Sequence, residues 1–361
     1  MKFGTIMKKY SFFFLGIVIL SSFLINNMNI EAKEENTNLE LSPNALADMK
    51  ILAVIANGFG DSYFWIKNQL ESWGCNVTTA GLTAVCASCP NKPPRPVTPD
   101  ILIADATTEI LSQFDAVYVP AGPHWTILQT STLTHNLLTT AYTAGLVVSG
   151  ICIGTVALAQ VSSVVNGVKV AYYSQTASDM IDAGAIVIHG VGVVSDKRVI
   201  TAGTGTFQST HQAIYPFCVA IAKSVLGLSA VSETTISSVK GESNTTHTIS
   251  VETINLNDTF YGNTTMDLHT VSANVYHEDS SEDYEYVYLT DPDHDNIYTG
   301  NFTGTLKGSY TVDLEVRSSG WGLESIRDAV GFKLKALPGF ELWIIPIIFP
   351  FIFLLRKVKK N

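Results

Sequence analysis

From Lys50 onwards, short unbroken apolar runs alternate with stretches whose apolar residues recur at helical spacing. Ile51 to Ala56 is the first run, continuous because a strand in a parallel sheet is covered on both faces. Asp61 to Trp73 then spaces Phe64, Ile66, Leu70 and Trp73 roughly along one helical face. Further apolar runs lie at Ile101 to Ala104, Ala116 to Pro120 and Leu146 to Ile151, and helical patterns at Thr132 to Ala144 and Gly154 to Val161. Gly184 to His189 and Val199 to Ala202 read as later strands, and His211 to Leu226 as a closing helix. This alternation predicts a doubly wound, mostly parallel α/β sheet over residues 48 to 227.

After Gly227 the pattern changes to period two. Tyr310, Val312, Leu314 and Val316 point one way while Thr311, Asp313 and Glu315 point the other, as in a half-buried antiparallel strand. Thr248 to Ile254 and Tyr284 to Leu289 read similarly. A second, small all-β domain is therefore expected over residues 232 to 335, an immunoglobulin-like sandwich serving as a stalk.

The ends predict topology. Lys8 and Lys9 precede the apolar stretch Tyr10 to Ile25, so residues 1 to 32 read as a signal peptide or an uncleaved signal anchor, followed by a polar leader over 33 to 47. Leu342 to Leu355 carries no charge and closes on Arg356, Lys357, Lys359 and Lys360, which predicts a C-terminal transmembrane anchor over 336 to 361, interrupted by Pro346 and Pro350. The positive-inside rule then puts the basic tail in the cytoplasm and both domains outside, a single-pass cell-membrane protein. Pro338-Gly339-Phe340 resembles the tripartite sorting tail of archaeal surface proteins, and Asn-X-Ser/Thr sites at Asn76, Asn244, Asn257, Asn263 and Asn301 suit a glycosylated surface stalk.

Composition adds an exclusion. Among 361 residues, 46% are hydrophobic, enough for two cores, but only 15% are charged and the net charge is −10. No basic stripe exists to neutralise a phosphate backbone, so nucleic acid is excluded as a partner.

Candidate chemistry concentrates at Ser149-Gly150-Ile151-Cys152-Ile153-Gly154-Thr155, which has the form strand, G-x-C-x-G, helix. Glycines two residues to either side of the cysteine suit a turn too tight for side chains, and the central residue of such an elbow is often strained. The thiol then sits before a helix N-terminus, where open amides favour a thiolate.

Four segments together resemble the PfpI family, which includes the parkinsonism-associated deglycase and belongs to the class I glutamine amidotransferase-like superfamily. They are Lys50 to Phe59, Val117-Tyr118-Val119-Pro120-Ala121-Gly122, Gly150 to Ala159, and Val199-Ile200-Thr201-Ala202-Gly203. The resemblance covers residues 48 to 227 and implies a flavodoxin-like fold with Cys152 as nucleophile. It also implies an oxyanion hole made by the main-chain amides of Gly122 and Ile153. A small carbonyl or amide compound is the implied substrate or ligand, and the family leaves open a homo-oligomer that completes the site. Tyr63 stands where the family places a Glu on the first helix, and Tyr173 where some members place a His. Asp61 and His124 are the nearest carboxylate and imidazole in the motifs, and His124 is carried as a candidate catalytic residue against the plainer reading of a loop histidine.

Of the five cysteines, Cys152 reads as free, with Cys75, Cys86, Cys89 and Cys218 available for pairing and a disulfide expected within the Cys86–Cys89 loop or from it to Cys75. That loop lacks the further ligands a zinc site needs. Asp291, Asp293 and Asp295 alternate like the start of a calcium loop, but Asn296 and Phe302 stand where its glycine and glutamate belong, so a polar hairpin loop is preferred and no cofactor or metal is expected. Function is left between a cysteine-dependent hydrolase, deglycase or glyoxalase-like enzyme and a non-catalytic module that binds a ligand or senses oxidants through Cys152.

Overall fold

The computed structural model describes residues 46–89, 95–171, 173–203, 210–237, 243, 245–254, 270–318 and 322–335. The first strands are β1 (Lys50–Ile55), β2 (Asn76–Gly81), β3 (Ile101–Leu102), β4 (Ala116–Val119) and β5 (Val147–Ile151), followed by β6 (Lys169–Ala171), β7 (Ile186–Ile188), β8 (Val193–Asp196) and β9 (Val199–Ala202). Four helices matter most here: α1 (Ser62–Ser72), α2 (Thr132–Thr143), α3 (Thr155–Ala159) and α4 (Thr210–Val225).

Why β1 reads as a continuous apolar run is clear from its two faces. Ile51, Ala53 and Ile55 pack with Ile66 and Leu70 of α1 and Phe217 and Ile221 of α4, whereas Leu52 and Val54 pack with Leu137 and Leu138 of α2 and Leu158 of α3. Helices therefore cover both sides, as a doubly wound sheet requires. Strands β3, β2, β1, β4, β5 and β9 lie side by side in that order, all parallel. Strand β8 is antiparallel to β9.

The C-terminal region supplies β10 (Val231–Ile236), β11 (Thr246–Thr253), β12 (Thr270–His277), β13 (Ser280–Leu289), β14 (Ile297–Thr303), β15 (Gly308–Ser318) and β16 (Gly322–Leu334). Strands β10, β11 and β14 form one sheet. The order β13-β12-β15-β16 forms the other, and a common core fills the space between them, with Ile249, Val251 and Phe302 against Val271, Ala273, Val312 and Leu314.

This second region continues the first. Strand β16 pairs in parallel with β8, Leu323 opposite Val194 and Ser325 opposite Asp196, so one sheet of eleven strands runs from β13 to β3. Charge fixes the junction. Asp196 is buried and accepts hydrogen bonds from the Lys169 amide (2.7 Å) and from Arg327 Nη2 (2.8 Å) and Nε (3.2 Å), while Arg327 also reaches Asp313 (3.2 Å). Lys169, itself buried, bonds Glu315 at 2.8 Å, and the buried Lys223 of α4 pairs with Glu324.

Two expectations need correction. Single-pass membrane placement is not supported: among the described residues no helix is long and apolar enough to cross a membrane. The longest of the elements given above, α4, has 16 residues, about 24 Å against the roughly 30 Å of a bilayer core. The signal segment 1 to 32, the anchor 336 to 361, Pro338 to Phe340, and the sites Asn244, Asn257 and Asn263 lie outside the described residues. Disulfides are also absent, since all five cysteines are free. Cys75 Sγ donates to the Met49 carbonyl (3.3 Å), Cys86 lies among Thr83 and Ile55, and Cys218, on α4, is sealed in the core. Burial pushes the Cys75 thiol up to about 12 and raises that of Cys218 as well.

Candidate active site: a cysteine elbow at the carboxyl edge

In a sheet of this order the chain leaves β1 towards β2 on one side and is met by β4 on the other, and the loops after β1, β4 and β5 converge at the carboxyl edge between them. Cys152 lies there. It follows β5 directly, has φ of 54°, and opens a single 3₁₀ turn before α3. A left-handed non-glycine residue is unfavourable by about 1–2 kcal/mol, and such strain persists where the surroundings hold it.

The glycines of the motif explain what holds it. Gly154 has an ordinary helical φ of −60°, so its requirement is space: a Cβ there would lie 2.5 Å from the Pro120 carbonyl oxygen and 2.7 Å from that of Val119. At Gly150 a Cβ would press on Leu158 at 3.0 Å. The elbow is thus wedged against the β4 loop by contacts only glycine permits. In that loop Gly122 has φ of +142°, and a Cβ would overlap Gly60 N and approach Gly58 O at 2.8 Å.

Main-chain donors are the next feature. Among the described residues neither the Gly122 nor the Ile153 amide has a hydrogen-bond partner. Ser62 Oγ instead accepts from Ala121 N (2.9 Å), and Gly60 N donates to Ala121 O (2.8 Å), fixing the loop just before Gly122.

Tyr173 meets the sulfur. Burial first, then the neighbouring Cys152, raises its pKa above the usual phenol value, so it stays protonated at neutral pH. A buried chain of hydroxyls ties the two residues' turns together. Thr155 Oγ1 donates to Cys152 O (2.6 Å) and meets Thr176 Oγ1 (3.0 Å), and Thr176 bonds Tyr173 O through both Oγ1 (3.2 Å) and its amide (2.9 Å). Sequence reasoning counted Tyr173 as a lost histidine and passed over Thr155 and Thr176. The only available signal was that Tyr173 can still donate a proton.

The other candidates serve the scaffold. Tyr63, buried on α1, directs its hydroxyl at Thr79 Oγ1 (2.7 Å) and packs with Phe59 and Phe64. Asp61 pairs with Arg95 (3.2 Å), whose guanidinium lies 3.8 Å over the Phe64 ring. His124 is fully buried. Its Nδ1 accepts from the Ala56 amide (3.3 Å), which places the proton on Nε2 and makes that nitrogen a donor to Pro120 O (2.8 Å). With both nitrogens used, His124 has none left to take a proton from Cys152, which corrects the catalytic expectation: it staples the end of β1 to the end of β4. Asp291, Asp293 and Asp295 do gather, their carboxylates within 4.8 Å, but two of the three are exposed and Asp291 already accepts from the amides of Asp295 (3.2 Å) and Asn296 (3.0 Å), as in a polar hairpin loop.

Burial lowers the His124 pKa to about 4, so the folded protein binds its proton less readily than the unfolded chain, whose value is about 6.5. Its stabilising contribution is complete above about pH 6.5 and is lost as pH falls towards 4, where protonating the buried ring costs up to about 3 kcal/mol. Urea midpoints measured from pH 7 to 4 should fall accordingly, and His124→Asn should flatten that part of the profile.

A thiol on a left-handed strand-to-helix elbow, above the carboxyl edge of a flavodoxin-like sheet, defines a protein of the nucleophile-elbow α/β class. Residues 49–215 match the DJ-1/PfpI family, and this part of the chain belongs to it. Solved structures similar to the chain include a two-domain protein of Anabaena variabilis with DJ-1/ThiJ/PfpI-like and ferritin-like domains (22% identity, TM-score 0.43, covering 50% of this chain and 48% of that one). A ThiJ/PfpI domain protein of Brachyspira murdochii (22%, 0.43, covering 50% and 98%) and Drosophila melanogaster DJ-1beta (22%, 0.42, covering 50% and 91%) are also similar. The chain thus spans about half the length of the Anabaena protein. No curated protein matches this chain.

Proposed function

We propose that Cys152 is the nucleophile of a cysteine-dependent enzyme acting on small aldehydes or related carbonyl compounds. The observation that carries this reading is the left-handed Cys152 on an elbow that Gly154 wedges against the loop after β4. In the addition step the sulfur bonds to the carbonyl carbon, and the π pair moves to oxygen, where the amides of Gly122 and Ile153 accept the developing charge. Tyr173 gives its proton to that oxygen as it takes the thiol proton, so the product is a neutral hemithioacetal and the atoms balance without a co-reactant.

The test is consumption of methylglyoxal by the full chain. Cys152→Ser should abolish it, and Tyr173→Phe should slow it roughly 100-fold, within the usual range for one positioned acid. Equal consumption by wild type and Cys152→Ser would end the enzymatic reading.

One observation favours a second reading, a redox sensor. The hydroxyl of Tyr63 is held by Thr79 and both nitrogens of His124 by the main chain, so none of these groups is available as the general base that would speed turnover. Under that reading peroxide adds one or two oxygens to Cys152, seen in the intact mass, while methylglyoxal is untouched. We further infer that residues 48–227 and 232–335 are separate domains by descent and that the second is an immunoglobulin-like sandwich. The facing sheets β10-β11-β14 and β13-β12-β15-β16 support it.

A further inference from the structure

The outer face of the C-terminal sheet carries an aromatic row remote in sequence from Cys152. Tyr284, Tyr286 and Tyr288 of β13 project to one side, 52%, 59% and 56% exposed, while Val287 and Leu289 on the other side are buried in the core. The register sets Tyr276, Asn274 and Ser272 of β12 opposite them, with the Tyr276 and Tyr284 rings 5.3 Å apart. Asn274 is only 7% exposed, and its Oδ1 has no hydrogen-bond partner among the described residues. A buried acceptor of this kind is unfavourable until a donor reaches it.

Charge and area narrow the occupant. Asp313, opposite Asn274 on β15, is paired with Arg327, and Glu315, opposite Ser272, with Lys169, so the floor of the face is electrically compensated and favours a neutral ligand. Three half-exposed tyrosine rings offer roughly 300–400 Å², at most half of the ~800 Å² each partner gives to a standard protein interface. Strand β13 ends the sheet, but the exposed Glu285 on it discourages pairing with a second copy through that edge. A pyranose meets these conditions: its C–H face stacks on a ring, and its hydroxyls donate and accept.

We infer that Tyr284, Tyr286 and Tyr288, with Asn274 beneath them, form a platform for a neutral oligosaccharide, a sugar hydroxyl reaching Asn274 Oδ1 as the ring of Tyr286 lifts. The site is independent of Cys152. The full chain should be titrated calorimetrically with maltohexaose, cellohexaose and chitohexaose. Saturable binding of at least one is expected, weakened about tenfold or more by Tyr286→Ala through lost stacking. Tyr286→Phe, which keeps the ring, and Cys152→Ser should both retain binding. Absence of saturable binding to all three sugars overturns the proposal, as does binding indifferent to Tyr286→Ala and Tyr288→Ala. Light scattering that shows self-association lost in Tyr286→Ala would also overturn it, by making a second copy the occupant.

Discussion

Replacing Arg327 by Met should destabilise the whole protein by about 3–5 kcal/mol, although Arg327 lies far along the chain from the family-matched residues 49–215. Asp196 is the reason. Its side chain is completely buried, and Arg327 supplies two of its hydrogen bonds and its charge partner. The same contact, with Asp313, holds the guanidinium further above its usual range. Among the described residues, removing the cation leaves a carboxylate in the junction with only the Lys169 amide to satisfy it. Urea denaturation should show one transition at a lower midpoint. Pairing Arg327→Met with Asp196→Asn should recover part of the loss, because the uncompensated charge is then gone. By the same reasoning residues 48–227 expressed alone should not reach a stable fold, since β8 would lose its neighbour β16 and Asp196 would lose Arg327. Two separate transitions, or a stable isolated α/β piece, would show the junction to be incidental.

The second large effect is expected at the elbow. Gly154→Ala places a methyl 2.5 Å from the Pro120 carbonyl oxygen, main chain that cannot move aside, and should cost about 3 kcal/mol or more. The local consequence should exceed the global one. Relief of the clash requires the turn to back away from the β4 loop, separating the Ile153 amide from that of Gly122, so thiol reactivity should fall even in molecules that remain folded. Gly122→Ala adds a conformational cost, because φ of +142° suits glycine and few other residues. Comparing the Cys152 alkylation rate with the unfolding midpoint in each variant separates the two effects. Loss of stability with unchanged reactivity would mean that the glycines only pack.

Much of this architecture was legible in the residues because it depends on local patterns. A strand covered on both faces must be apolar throughout, which located β1, β4 and β5, and period-two alternation located β15. The run at Ile101 was overread: only Ile101–Leu102 is strand before a 3₁₀ turn at Ile103–Asp105, because an edge strand needs little length. What could not be read was the pairing of β16 with β8, since parallel pairing between distant segments leaves no mark on either beyond its apolar positions. The charged residues that secure it, Asp196 and Arg327, look like ordinary surface positions in sequence. At the elbow the G-x-C-x-G motif marked the left-handed turn at Cys152. It did not predict that Tyr173 would face the sulfur, because a contact between loops is set by hydroxyl bonds such as Thr155 to Thr176, which have no spacing rule. His124 was misassigned for a related reason. An imidazole in a motif looks reactive until its two nitrogens are seen to be engaged by the main chain.

All five thiols are free, and they differ in burial and surroundings, which makes a timed iodoacetamide reaction with peptide mapping the most direct test of the central claim. Although Cys152 is only 7% exposed, it should be alkylated first, ahead of the more exposed Cys89 and well ahead of Cys75, Cys86 and Cys218, because it alone of the five sits on a left-handed elbow before a helix. A Cys152 that reacts no faster than the sealed Cys218 would contradict the account.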